Sequence, residues 1–328
     1  MSATRQIDRG GPDRPVSTDV NGAGPVPADQ VQRSRSSRPV WDEEPTPVGK
    51  GLKGLALVII CAAVVVPLYT IVLTSFSTQA SITRAGGLVL VPGELTLDAY
   101  RQVLSGGVVT RAVLVSVGIT TVGTAVSMVV SVLGAYGLSR TGSYGHRVIL
   151  FALLITMFFG AGMIPTYLLV SSLGLIDSYW SLILPTAVSA FNILILRGFF
   201  MGIDGSLIDS ARIDGAGDWR ILAQIVLPMS KAVTAVIALF YAVGYWNAFF
   251  QATLYINDST KQPLQVVLRS FVLQGVDVPG SVDVGSGQVA SLAVQMAVVV
   301  IAIVPVLMVY PWVQRHFASG VMIGAVKG

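Results

Sequence analysis

Six stretches of this chain are apolar over about twenty residues each, and nothing else in it constrains the fold as much. They cover residues 55–76, 113–138, 148–169, 179–200, 232–250 and 289–309. At about 1.5 Å of rise per residue, a helix of that length crosses the roughly 30 Å hydrocarbon core of a bilayer. No Asp, Glu, Lys or His falls inside any of the six, and Arg197 stands at the end of the fourth, where a long side chain can reach the interface. Backbone polar groups in lipid must be satisfied internally. The expected fold class is therefore an all-α integral membrane protein with six transmembrane helices.

Composition agrees. Charged residues make up 12 % of the chain, about half the usual share of roughly 25 % in soluble proteins. The single cysteine, Cys61, allows no intrachain disulfide and no cysteine-based metal site. The net charge of +4 comes from loop residues and does not argue for a nucleic-acid partner. Arg140, Arg147, Arg197, Arg212, Arg220, Lys231, Arg315 and Lys327 fall on one side of the membrane together with Lys50, Lys53 and the other basic residues of the N-terminal segment. Arg84, Arg101, Arg111, Lys261 and Arg269 fall on the other side. The positive-inside rule then puts both termini in the cytoplasm. Residues 1–51 are rich in Pro, Gly, Ser, Asp and Arg and poor in large apolar residues. They cannot bury enough surface to offset ordering entropy, so a disordered cytoplasmic tail is expected ahead of a six-span domain over residues 52–328.

Within the spans, Gly123, Ser127, Ser131 and Ala135 recur every four residues, a small-residue face suited to close helix packing. Pro67, Pro165, Pro185 and Pro305 each remove a backbone donor and are expected to kink their helices. Gly160, Gly162 and Pro165 together make the third span the expected site of irregular backbone.

The loop over residues 203–228 is polar and lies between the fourth and fifth spans. Ser206 and Asp209 fit a capping box at a helix start. Gly215 suits a sharp turn through positive φ, and Asp218 suits a cap on a second short helix carrying Trp219, Ile221, Leu222 and Ile225. Three residues separate Ala211 from Gly215, nine separate Gly215 from Ile225, and one separates Ile225 from Leu227 and Pro228. This spacing resembles the cytoplasmic loop of bacterial ABC importer permeases, whose pattern opens on Glu-Ala-Ala. The present chain reads Asp209, Ser210 and Ala211 there.

The resemblance extends over residues 52–328 and is to permeases of the carbohydrate-uptake, maltose-type importers, nearest in look to the second permease of lipoprotein- or aldouronate-type oligosaccharide systems. It is carried also by Gly162 to Leu169, by Leu173 to Pro185 and by Phe240 to Phe250. It implies a prokaryotic cell-membrane transport subunit for a sugar or oligosaccharide, with no ATPase site and no bound cofactor of its own. ATP and Mg would sit on two copies of a separate ATPase. A second, different permease and an extracytoplasmic solute-binding protein would complete the system. It further implies that Asp209, Ser210, Ala211, Asp214, Gly215, Ala216, Ile225, Leu227 and Pro228 form the ATPase-coupling element, with Ile208 and Ile213 as apolar anchors.

Asn192, Tyr245, Trp246 and Asn247 are candidates for the solute path, since a polar group in a span tends to face the bundle or a wet cavity. The competing reading is a helix-to-helix hydrogen bond for the two Asn residues and an interfacial aromatic belt for Tyr245 and Trp246. The stretch from Leu264 to Leu273 is expected to lie along the membrane surface as a helix, and the resemblance makes the loop over residues 251–288 a face for the binding protein. Three other classes compete. Gly215, Gly217 and Asp218 match the short Gly-x-Gly-Asp pattern of intramembrane aspartyl proteases, but that chemistry needs two facing carboxylates in the membrane and no Asp or Glu lies in any span. An ion-coupled carrier would ordinarily carry ionisable groups in the membrane. A self-contained ATP-driven pump would need a phosphate-binding Gly-x4-Gly-Lys-Ser/Thr loop, which the sequence lacks. The readings left beside the sugar permease are an ABC permease for a non-sugar solute and an ion-coupled secondary carrier.

Overall fold

The computed structural model describes residues 47–140, 142–274 and 292–324. The tail expected over residues 1–51 lies outside the described residues as far as residue 46, as do residues 275–291 of the long connection before the last span. Two compact units divide the chain, Met1–Ala62 and Ala63–Gly328, and the boundary falls inside helix α1 (Pro47–Ser75). In the first unit the described residues belong to α1, where Leu55, Val58 and Ile59 are exposed. A helix apolar on all sides has this character when lipid is its solvent.

The second unit continues through α2 (Gln79–Ala85), α3 (Asp98–Leu104), α4 (Val108–Ser139), α5 (His146–Phe158), α6 (Met163–Ser172), α7 (Trp180–Thr186), α8 (Ala190–Met201), α9 (Gly205–Ile213), α10 (Asp218–Met229), α11 (Lys231–Trp246), α12 (Phe249–Tyr255), α13 (Leu264–Arg269) and α14 (Leu292–Gly324). Among the described residues the one extended pairing is an isolated bridge between Ser77 and Leu95.

Three helical stretches are long and apolar enough to span a bilayer: Val48–Ser75, Val108–Ser139 and Leu292–Val309. The other apolar runs are bent. α5 and α6 meet at 118°, at Gly162 with φ 85°, within the segment where Gly160, Gly162 and Pro165 foretold irregularity. α7 and α8 meet at 51°, after a 3-10 turn containing Pro185. α10 and α11 meet at 87°. A π-turn over Leu222–Val226 precedes Pro228. Widening the helix there relieves the clash that the proline ring would otherwise make with the preceding turn. The fifth run, expected over residues 232–250, is interrupted after Trp246 and resumes at Phe249.

α4 is the axis of the unit, packed along α8 and α11. Its small residues Gly123, Ser127, Ser131 and Ala135 all lie on the buried face. The Ser127 and Ser131 hydroxyls share hydrogen bonds of 2.7 Å with the Tyr245 and Tyr241 hydroxyls of α11. Gly123 faces the Tyr245 ring so closely that a Cβ there would lie 2.8 Å from Tyr245 Cζ. At the C-terminal end of α4, Arg197 Nε donates to the Leu138 carbonyl at 2.9 Å. It thus caps a helix end, where its position in the sequence had suggested a reach to the interface.

Toward the N-terminal end of α4, the Leu264 N–H donates to Ser116 Oγ at 2.8 Å, and Leu264, Val267 and Phe271 are buried. The stretch expected to lie along the surface is helical over Leu264–Arg269, but its apolar side is turned into the core. At this end Asp177, at φ 59°, accepts backbone N–H bonds from Asn257 (2.6 Å) and Asp258 (2.9 Å), while Lys261 Nζ donates to the Asp177 carbonyl.

Candidate coupling site

Helix α9 starts one turn after α8 ends. Its N-cap is Asp204, whose carboxylate accepts from the Ser206 N–H at 3.0 Å. The cap therefore sits two residues ahead of the box expected on Ser206 and Asp209, because Asp204 supplies an acceptor in the same role. The helix ends as its glycine foretold. Gly215 adopts φ 79°, its N–H bonds to the Arg212 carbonyl, and the Ala216 N–H bonds back to the Ala211 carbonyl. That pair of bonds is a Schellman termination, which only a residue tolerant of left-handed backbone makes without strain. Gly217 caps the second helix, and Asp218, expected as the cap, is its first residue. A carboxylate in a first turn also suits the helix dipole.

The fold sorts the loop into two faces. Ile208, Ala211, Ala216 and Leu227 pack against the core cluster that contains Ile221, Leu222 and Val226. Leu207, Asp209, Ser210, Ile213, Asp214, Gly215, Trp219 and Pro228 are exposed, and Ile225 is half-buried. Ser210 Oγ donates to the Ser206 carbonyl of its own helix at 2.8 Å. Ile213 is 87 % exposed and Trp219 74 %. Of the two isoleucines expected as anchors, Ile208 faces inward and Ile213 outward. Trp219 and Leu207 join the outward face, and neither was singled out from the sequence as an anchor.

Behind the loop lies a cavity of about 830 Å³ lined by Tyr136, Arg140, Arg212, Asp218, Trp219 and Leu222 among others. Asp218 Oδ1 lies 3.4 Å from Arg140 Nη2 and 3.6 Å from Arg212 Nη2. The Tyr136 hydroxyl donates toward the Asp218 carbonyl at 3.3 Å and its carboxylate at 3.4 Å. Arg140 donates to the Tyr136 hydroxyl, and its guanidinium carbon lies 4.8 Å from that ring's centroid. From the sequence alone, Arg140 and Arg212 bear only on orientation. No local pattern pairs them with Asp218.

The four solute-path candidates fall in different settings. Tyr245 is buried, its hydroxyl shared with Ser127 and near the Ile183 carbonyl at 3.2 Å. Trp246 is buried, and its Nε1 donates to the Ala302 carbonyl of α14 at 3.0 Å. Asn192 is buried in the first turn of α8. Asn247 is exposed, its Nδ2 donating to the Val243 carbonyl at 2.9 Å and its Oδ1 accepting from Gln265 at 3.5 Å. The two aromatic side chains thus spend their polar atoms inside the chain's own core.

Comparison with known proteins matches this architecture to one family. The profile described as the binding-protein-dependent transport system inner membrane component matches residues 112–323. The chain is similar to the polygalacturonan/rhamnogalacturonan transport system permease protein YtcP of Bacillus subtilis (strain 168), with 47 % identity over 84 % of this chain and 95 % of that one. It is also similar to Protein LplC of Bacillus subtilis (strain 168), with 43 % identity over 81 % of this chain and 90 % of that one. Among solved structures, a chain of a bacterial ABC transporter involved in the import of the acidic polysaccharide alginate superposes with a TM-score of 0.76 at 32 % identity, covering 82 % of this chain and 96 % of that chain. The profile match over residues 112–323 spans the three bent helical pairs and the polar loop. The chain therefore belongs to the binding-protein-dependent inner-membrane transport components, as a prokaryotic ABC importer permease subunit without an ATPase site of its own.

Proposed function

We propose that this permease imports an oligosaccharide, with acidic sugars as the preferred cargo, and that residues 203–228 dock into a cleft on the separate ATPase subunit. The cargo reading is supported by the printed names of two similar proteins, one tied to polygalacturonan and rhamnogalacturonan and one to alginate. The docking reading is carried by one observation: Ile213 and Trp219, large apolar residues, are exposed on a short loop whose first helix is capped at both ends and whose other face is seated in the core. Large apolar side chains exposed on an otherwise polar loop suit a protein contact. Asp209 and Ser210 lie on that exposed side.

In this reading both termini and the loop are cytoplasmic, the helical runs form six spans, and residues 1–51 are a dispensable tail. A second, different permease, two ATPase copies holding ATP and Mg, and an extracytoplasmic binding protein complete the transporter. Of the four solute-path candidates, Asn247 keeps an exposed polar side chain, so direct solute contact by this subunit is assigned to it.

Cysteine cross-linking tests the docking. Cys61 is the single native thiol, so Cys61→Ser gives a clean background. Ser210→Cys is expected to cross-link to a cysteine in the ATPase cleft, with a yield that changes on adding ATP. A complete scan of the ATPase surface with no cross-link, in a complex that still transports, would refute the docking. For the cargo, proteoliposomes holding the whole transporter are expected to accumulate labelled oligogalacturonate over a neutral oligosaccharide of equal length. Equal uptake of both removes the acidic preference, and uptake of neither removes the sugar assignment.

A further inference from the structure

The contacts around Asp218 do little for stability. Its ion pairs exceed the roughly 2.7–2.9 Å of strong charge-assisted bonds, and its side chain is 68 % exposed, against 51 % for Arg212 and 24 % for Arg140. Exposed pairs of this kind contribute roughly 0–1 kcal/mol at most. The loop is held in place without them, by its buried apolar face. Their position is more informative than their strength. Asp218 begins α10, Arg212 lies in the last turn of α9, and Arg140 directly follows α4. One carboxylate therefore joins both arms of the loop to the axial helix. The C-terminal end of α4 is tied in turn to α8 through Arg197 and the Leu138 carbonyl.

We propose that Asp218 and Arg140 form a latch that passes movement of the docked loop to α4, with Tyr136 and Arg212 setting its geometry. All four are positioning residues. Burial holds the loop as a whole, whereas the ion pair at the joint between two short helices adds a directional link from the loop to the end of α4. The adjoining cavity leaves room for that movement. Because the bonds are weak and exposed, they can break and re-form within a transport cycle. This inference rests on the proposed docking of residues 203–228 to the ATPase.

The test uses the complete transporter in proteoliposomes and reads solute imported per ATP hydrolysed. Asp218→Asn and Arg140→Gln are each expected to lower that ratio about five-fold, the factor matching a coupling of about 1 kcal/mol. The double variant is expected to be no worse than either single one, and Arg140→Lys to retain most of the ratio. A purely structural role would lower uptake and hydrolysis together and leave the ratio unchanged. That result, or losses that multiply in the double variant, overturns the latch. The Ser210→Cys cross-link separates the two readings. A persisting cross-link with an unchanged ratio refutes the latch alone, whereas no cross-link in a transporting complex refutes the docking and the latch with it.

Discussion

Asp218 at the loop end of α4 and Asp177 toward its other end each tie together segments far apart in sequence, yet they use different partners. Asp218 meets side chains, Arg140 and Arg212, at 3.4 and 3.6 Å. Asp177 meets backbone, the N–H groups of Asn257 and Asp258, at 2.6 and 2.9 Å. A long flexible cation can leave a carboxylate at small cost, while a backbone donor moves only if its loop moves. Asp177 is also the one non-glycine residue with positive φ among the described residues. Such backbone persists where the surroundings over-determine it. One end of the unit is thus tied by contacts that can be remade, and the other by contacts that hold a fixed geometry. The difference is what the proposed docking of residues 203–228 calls for.

The largest expected effect sets the scale for both ends, because it lies in the rigid packing between them. Gly123→Val places a Cβ against the Tyr245 ring, which two hydrogen-bonding partners hold in place. Overpacking of this kind costs about 1–3 kcal/mol or more. Assembled, detergent-stable complex is expected to be largely lost in size-exclusion chromatography. Normal recovery would show that the middle of the unit is softer than either end.

Gly215→Val probes the loop end next. Its Cβ meets nothing within 4 Å, so the penalty is purely conformational, about 1–2 kcal/mol for left-handed backbone and greater for a β-branched residue. Uptake is expected to fall about ten-fold with membrane insertion intact. A parallel loss of insertion would mean that the turn is structural and not specific to coupling.

At the far end, Asp177→Ala removes the acceptor for two N–H groups and keeps the strained φ. The melting midpoint of the purified complex is expected to drop by about 2–4 °C. Asp177→Gly, which also relieves the backbone strain, is expected to lose less. If Gly loses as much as Ala, strain at this position is not a factor.

Ionic strength separates the ends more gently. Raising salt from about 0.1 to 1 M shortens the screening length from about 10 to 3 Å. Hydrogen exchange is expected to quicken more over residues 212–221 than over residues 255–261, where backbone N–H bonds to Asp177 stand beside the exposed Lys261–Asp258 pair at 3.7 Å. Equal response at both would erase the contrast.

The smallest effect concerns pH. The Asp258 N–H, and after it the Asn257 N–H and nearby Lys261, holds the Asp177 carboxyl below the usual Asp value of about 3.9. The Thr260 hydroxyl and N–H do the same for Asp258. A depressed folded-state value means the stabilisation is fully present above about 3.9 and is lost as pH falls through the lowered value. Protection over residues 255–261 is therefore expected to be flat from pH 7 to 5. A loss within that window would contradict the assignment.

Local rules carried some features from sequence into structure. The turn at Gly215 and the break at Gly162 were legible because positive φ is a property of single residues. The small-residue face of α4 was legible because helical periodicity alone puts Gly123, Ser127, Ser131 and Ala135 on one side. The cap of α9 was misread by two residues because Asp204 and Ser206 both suit that role, and backbone geometry chose between them. Tyr245 and Trp246 suit either a solute path or an interfacial belt by sequence, and the partners that bury them, Ser127 and Ala302, lie 118 and 56 positions away.

By itself the sequence determined that this chain is a bundle of apolar helices with a polar loop over residues 203–228 between two of them. Hydrophobic length, absent span charges and glycine spacing are local quantities, and the bilayer permits few solutions. The tertiary structure decided which way each part of that loop faces. It seated Ala211 and Ala216 inward, left Ile213 and Trp219 outward, and brought Asp218 to an arginine 78 positions earlier. Those outcomes depend on how α9 and α10 pack against the core cluster and how Asp218 meets the end of α4, relations between distant segments that no local spacing encodes.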